Sequence, residues 1–262
     1  MRLFYRKYGD VGNPVIVVVH GLLGLSDNWD YFGKHFAELG YHVIIPDMRN
    51  HGQSPRMETF NYSVMASDVM KVLKDENVTR CSVIGHSMGG KIAMMLAFRH
   101  PDMVERLEIL DISPRQFDYP LQHVDFIDAM SHVDLKKVTR RSDVEDELSK
   151  RNYEKRIVLF LLKNLSYSRE KGFRWKPYLK AINRNIEEIG KGFDPSLHYS
   201  GKTLIIKGGK SDYIIEEKDK PYFECHFSDY KIVTLPDSGH WIHVDDPVGF
   251  MKTTESFFMS NK

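Results

Sequence analysis

Cysteine is scarce in this chain. Cys81 and Cys225 are the only two, and they stand alone rather than in paired spacing, so neither a disulfide framework nor a zinc site is indicated. Both are read as reduced structural residues, the first in a central strand and the second in a helical segment. An excess of one charge is missing too: 37 Lys+Arg against 36 Asp+Glu leave a formal net charge of +1. That balance argues against nucleic acid as a partner, since such binding needs a concentrated basic face. No run approaches the ~18 apolar residues of a membrane span. The opening "MRLFYRKYGD" lacks the roughly 7 to 15 apolar residues of a signal peptide. A cytoplasmic location is therefore expected.

What is there is ordinary globular composition, 42% hydrophobic and 28% charged over 262 residues. That length suffices for one α/β domain with an insertion, or for two domains. Continuously apolar runs at "PVIVVVHG" (14–21), "YHVIIPD" (41–47) and "CSVIGHS" (81–87) predict strands covered on both faces of a parallel sheet. Further strands are expected over 104–113, 202–209 and 230–240. Helical periodicity fills the intervals: a helix ending at Gly40, one after Tyr62, one after the Gly85–Gly89 turn stopped by Pro101, and a last one over 247–260. Strand and helix alternate as in a doubly wound α/β fold, which gathers functional loops at the carboxyl ends of the strands.

One region departs from that alternation. Residues 115–198 hold no convincing strand, are dense in charge and read as several helices, "VEDELSKRNYEKRIVLFLLKNLS" among them. They are expected to form a helical cap between two parts of the core, 1–114 and 199–262. Its apolar stretch "IVLFLL" and Phe117, Phe126, Phe173 and Trp175 are the expected roof of a substrate pocket.

The chemistry centres on Gly85-His86-Ser87-Met88-Gly89, a G-x-S-x-G pattern set between a strand and a helix. The glycines allow a sharp bend that holds Ser87 on the apex, and the following helix start directs free N–H groups and a partial positive charge at it. A serine needs a base to become a nucleophile. His240, in "PDSGHWIHVDDP" just past the last expected strand, has the position for it in the chain order serine, acid, histidine. His243 is its competitor, set further into the run towards the final helix.

Two aspartates compete for the acid. Asp111 ends "LEILD" on the same side as Ser87, and Asp212 follows Ser211 in "IKGGKSDYI". Only a carboxylate can both fix the imidazole tautomer and stabilise the imidazolium, so Ser211 is expected beside the acid rather than in its place. The "HGLLG" loop offers the Leu22 N–H as an oxyanion donor together with the Met88 N–H. Trp241 and His86, neighbours of the base and the nucleophile, are the expected substrate-binding residues. His20, Asp47, Arg49, His51 and Ser54 are read mainly as a loop-fixing polar network. Lys91 is read as a solvated or packing lysine.

Together "HGLLG", "DMRNHGQSPR", "GHSMGG", "DISP" and "SGHW" resemble the α/β-hydrolase superfamily. Within it the chain is most similar to the bacterial YbfF-type esterases and their mitochondrial abhydrolase-domain relatives, with Asn50 pointing to that subgroup. The resemblance implies a serine hydrolase that needs no cofactor and acts on small-molecule carboxylic esters or acyl thioesters. It carries the nucleophile onto Ser87 and the base onto His240. The "DISP" and "GGxS" segments favour Asp111 as the acid with Ser211 nearby, while Asp212, directly after that serine, departs from some relatives. The same triad and fold also run carbon–carbon hydrolysis and lyase steps. A receptor-like binder without turnover and a protein that docks partners through its cap are the other classes to separate.

Overall fold

The structure, a computed structural model, describes residues 1–117 and 121–259. The first half alternates strand and helix: β1 (Tyr5–Tyr8), β2 (Val15–Val19), α1 (Asp30–Glu38), β3 (His42–Pro46), α2 (Tyr62–Asp75), β4 (Cys81–His86), α3 (Met88–Arg99) and β5 (Val104–Leu110). Between β5 and the next sheet strand come α4 (Leu121–His132), α5 (Arg141–Ser149), α6 (Lys155–Leu162), a hairpin of β6 (Leu165–Ser168) and β7 (Gly172–Trp175), α7 (Leu179–Arg184) and α8 (Ile186–Gly190). The chain then returns through β8 (Tyr199–Gly208), α9 (Glu216–His226), β9 (Phe227–Leu235), α10 (Ile242–Asp245) and α11 (Pro247–Met259). Ser260, the end of the helix expected from sequence, lies outside the described residues.

The sheet runs β1-β3-β2-β4-β5-β8-β9, with β1 antiparallel to β3 and the remaining pairs parallel. Its central strands are apolar throughout because both faces are covered. Val17, Val19, Ile44 and Val83 pack with α2 and α3 on one face. Ile16, Val18, Val43, Ile45 and Ile84 pack with α1 and α11 on the other. Each helix offers a matching stripe; α2, for instance, buries Met65, Val69, Val72 and Leu73 and is capped by Asn61, whose side chain accepts the Val64 N–H at 3.0 Å. Among the described residues, no helix is long and apolar enough to cross a membrane.

Three features differ from the sequence expectation. β1 lies within the opening segment read only for what it lacked: four residues, two of them basic, at an edge where polar side chains are tolerated. The stretch expected to be strandless contains the β6–β7 hairpin, which turns at Gly172 (φ +64°) with Tyr167 against Phe173. A charged Arg-Glu-Lys tip hides its short alternating arms. The single long helix expected over 144–166 is two, α5 and α6, separated near Asn152, whose left-handed backbone (φ +55°) no continuous helix accepts.

Candidate active site

The strand-to-helix turn after β4 is tight enough to dictate its composition. A Cβ on Gly85 would run into the backbone of Gly89, and one on Gly89 into the Val19 carbonyl. Between them Ser87 takes φ +54° and ψ −120°, a strained conformation that lifts its side chain off the sheet. Its N–H donates to Leu110 O at 2.9 Å, which fastens the turn to the end of β5.

His240 arrives from the loop after β9. Its Nε2 lies 3.0 Å from Ser87 Oγ, and its Nδ1 lies 2.8 Å from Asp111 Oδ2. Asp111 is fully buried just past β5, and its carboxylate also accepts the Gly208 N–H (3.0 Å) and the Ser211 hydroxyl. Asp212, the other candidate, is exposed and borders a cavity instead of meeting the imidazole. Burial disfavours charge on both members of the central pair, raising Asp111 and lowering His240. The Ser211 and Gly208 donors oppose the rise at Asp111. A neutral ring with its Nδ1–H on the carboxylate leaves Nε2 free to take a proton from Ser87.

The loop after β2 is built around two buried histidines. His20 donates through Nδ1 to Gly21 O and accepts the Met48 N–H, while His51 donates to Arg49 O and accepts the Leu23 N–H. Asp47 accepts the Ser26 and Gln53 N–H groups, and Arg49 pairs with Asp68 at 2.6 Å. These side chains are spent on fixing backbone. Within the loop Leu23 N–H is taken by His51 and Gly24 N–H by Gly21 O. Among the described residues, none of this loop accepts the Leu22 N–H. Met88 N–H opens α3, where first-turn N–H groups have no intrahelical acceptor.

Two cavities meet at Ser87. The larger, about 190 Å³, is mostly apolar, lined by Leu22, Tyr62, Met88, Ile112, Phe117 and Ile189 with Tyr213 at one side. The smaller, about 80 Å³, follows the His240 loop and includes Trp241, Phe160, Arg156 and Asp245. Trp241 thus both walls this cavity and packs under α6, facing Phe160 at 5.6 Å. His86 borders it as well, but its Nε2–H is committed to the His240 carbonyl at 2.8 Å. His243 stacks on Trp29 at 4.3 Å, away from the serine–aspartate line.

Of the aromatics expected to roof the pocket, Phe117 lines the larger cavity and Phe160, from "IVLFLL", the smaller. Phe126 packs on Tyr153, Phe173 on Tyr167, and the Trp175 indole donates to Met130 O. They pack against other residues of the same stretch and join the hydrophobic cluster that covers one face of the sheet.

Three residues of the site were not singled out in the sequence reading. Tyr213 stacks on the His240 ring, 3.7 Å between centroids and 14° from parallel. His123, from α4, borders both cavities. Asp245 accepts the Gly239 N–H at 2.8 Å and pairs with Arg156 of α6 at 2.8 Å, so the loop that carries His240 is tied to α6. Tyr213 could have been found from its place two residues after Ser211; the other two depend on how distant segments pack.

Comparison with known proteins agrees with this geometry at the level of the family. A model of the α/β hydrolase fold matches residues 14–144. The sn-1-specific diacylglycerol lipase ABHD11 of Danio rerio is 35% identical, covering 98% of this chain and 82% of that protein. Esterase YbfF of Escherichia coli is 28% identical over 94% of this chain and 93% of that one. Among solved structures, a marine microorganism esterase superposes with a TM-score of 0.93 at 35% identity, covering 98% of this chain and 99% of its own. The chain belongs to the α/β-hydrolase family.

Proposed function

We propose that this protein is a serine hydrolase that cleaves carboxylic esters or acyl thioesters through an acyl-enzyme on Ser87. The observation that carries this reading is the unbroken line from Ser87 Oγ to His240 Nε2 (3.0 Å) and from His240 Nδ1 to Asp111 Oδ2 (2.8 Å). Ser87 Oγ attacks the carbonyl carbon as His240 Nε2 takes its proton, and Asp111 stabilises the imidazolium. The Leu22 and Met88 N–H groups hold the tetrahedral oxyanion, a task in which one donor is worth about 3 kcal/mol. Collapse breaks the bond to the alcohol or thiol, which leaves with the proton from His240. Water then repeats the attack on the acyl-enzyme and restores the serine.

The proton return sets the leaving group on the side of the His240 loop, in the smaller cavity with Trp241. The acyl group then occupies the larger, apolar cavity, with residues 115–198 as a cap over both. The names of the relatives, an sn-1-specific diacylglycerol lipase and esterases, fit ester cleavage. No step calls for a metal or organic cofactor.

The test is labelling with an alkyl fluorophosphonate together with turnover of short p-nitrophenyl esters. Wild type is expected to label and turn over, and Ser87→Ala to do neither while keeping its fold. A wild type that binds acyl ligands but neither labels nor turns over would move the assignment to a non-turnover binder. Labelling without ester turnover, combined with cleavage of a β-diketone, would move it to carbon–carbon hydrolysis.

A further inference from the structure

Lys91 is one of the largest fully buried side chains of the protein, with 0% exposure. It lies on the nucleophile helix α3, one turn beyond Ser87, so the solvated alternative for this lysine does not hold. Its ammonium donates to Arg115 O at 2.8 Å and to Lys191 O at 2.5 Å. Those carbonyls belong to the two connections that join the insertion to the core, one leaving after β5 and the other returning before β8. The connections also bond each other: Phe117 N–H donates to Gly190 O at 2.8 Å, and Phe193 N–H to Pro114 O at 3.2 Å. Around the ammonium stand the rings of Phe117, Tyr62 and Phe193, at 5.0, 5.6 and 5.7 Å. Such rings offer a cation their negative faces.

Burying an ammonium is costly unless something specific receives it. Burial first, and then the Arg115 charge, lower the Lys91 pKa to about 7, with Asp219 opposing them. Arg115 is itself held by Asp219 at 2.6 Å, which anchors the outgoing connection to α9. The rest of the arrangement leads into the larger cavity. Phe117 lies two residues past one acceptor and Ile189 two residues before the other, and both line that cavity. Tyr62, a third wall, donates its hydroxyl to Ile189 O at 2.6 Å.

We propose that Lys91 is a specificity-determining residue: it clips both connections of the insertion to the nucleophile helix and so fixes the end wall on which the acyl chain stops. It touches no reacting atom and acts through Phe117 and Ile189. The inference rests on the reading that the larger cavity takes the acyl group. It follows that the ammonium, and not merely an apolar side chain of that length, sets the acyl cut-off.

The test compares the full-length wild type with Lys91→Met, which keeps length but donates nothing, and Lys91→Gln, which keeps a shorter donor. kcat/KM is measured over p-nitrophenyl esters from acetyl to decanoyl, and hydrogen exchange is followed at the Phe117 and Phe193 amides. In Lys91→Met the decanoyl-to-acetyl ratio of kcat/KM is expected to rise about tenfold, the scale of a methylene or two of pocket discrimination. The two amides are expected to exchange about tenfold faster as the connections open locally. Lys91→Gln should lie between, and it carries the test if Lys91→Met fails to fold. A ratio unchanged within about twofold, or a proportional loss for every chain length, overturns the proposal, since a merely structural residue acts on all substrates alike. If wild type cleaves no ester, the proposed function falls, and exchange alone then decides whether Lys91 clips the connections.

Discussion

Two carboxyl groups on one strand show how differently this fold can treat the same chemistry. Glu108 and Asp111 stand three residues apart on and just beyond β5, and both are fully buried. Asp111 ends in a nest of donors: the Gly208 N–H, the Ser211 hydroxyl and the His240 ring. Glu108 points to the opposite side of the sheet, where the Thr254 hydroxyl of α11 donates to its Oε1 at 2.7 Å and its Oε2 meets no partner among the described residues. Burial raises both pKa values. Only one of the two sites is equipped to carry a negative charge, and that is the one beside the imidazole. Burial alone therefore does not distinguish the two; the count and geometry of donors around each do.

Replacing each member of the pair should separate function from stability. Asp111→Asn keeps the shape but not the charge, and kcat is expected to fall about 10⁴-fold with little change in folding. Asp212→Asn is expected to stay within about threefold of wild type, because that side chain is exposed at the cavity edge. A loss for Asp111→Asn as small as that for Asp212→Asn would remove Asp111 from the mechanism. Ser211→Ala takes away one donor and should cost about ten- to a hundredfold at neutral pH, the worth of a hydrogen bond to a charged group. Its signature is directional. With that donor gone the Asp111 carboxyl rises further, so the acid limb of the kcat/KM profile moves to higher pH, and the loss is greater at pH about 6 than at about 9.

How much of this could be read from the residues alone follows from how local each feature is. The turn around Ser87 is spelled out within five residues, since Gly85 and Gly89 are required by contacts that the turn itself creates. The parallel strands were legible as continuous apolar runs, and the family as motifs at strand ends. The choice between Asp111 and Asp212 was legible only in part: the motifs favour Asp111, yet both follow a strand end and both can be drawn towards His240. In the structure β5 lies beside β8 with Leu110 opposite Ile206, which brings Asp111 to Gly208 and Ser211. Lys91 is the extreme case. Its two acceptors lie 24 and 100 residues away in sequence, and nothing in "GGKIAMM" tells a buried lysine from a surface one. The β6–β7 hairpin and the split between α5 and α6 escaped for a related reason: short elements take their form from neighbours rather than from a periodic pattern of their own.

Glu108 offers the smallest effect on activity and the finest discrimination. Its pKa is pushed up to about 8 by burial, with the Thr254 hydroxyl opposing. In the unfolded chain the same carboxyl titrates at about 4.3. Between these values the folded protein keeps a proton that the unfolded chain has released. Stability is therefore full at low pH, falls as pH rises through that window, and stops falling from this cause above about 8. Glu108→Gln holds the neutral form permanently and keeps an acceptor for Thr254. The variant should match wild type near pH 5 and exceed it by a few kcal/mol near pH 9, an order-of-magnitude figure from linkage. Urea unfolding across that range checks the sign, and a variant that loses stability equally at every pH would show that Glu108 is ionised in the folded state. Activity should be unchanged at pH about 7, because Glu108 faces α11 and Asp111 faces the imidazole. A fall in kcat would mean that the two faces of β5 are coupled, and that the donors around Asp111 are set partly by what lies behind the sheet.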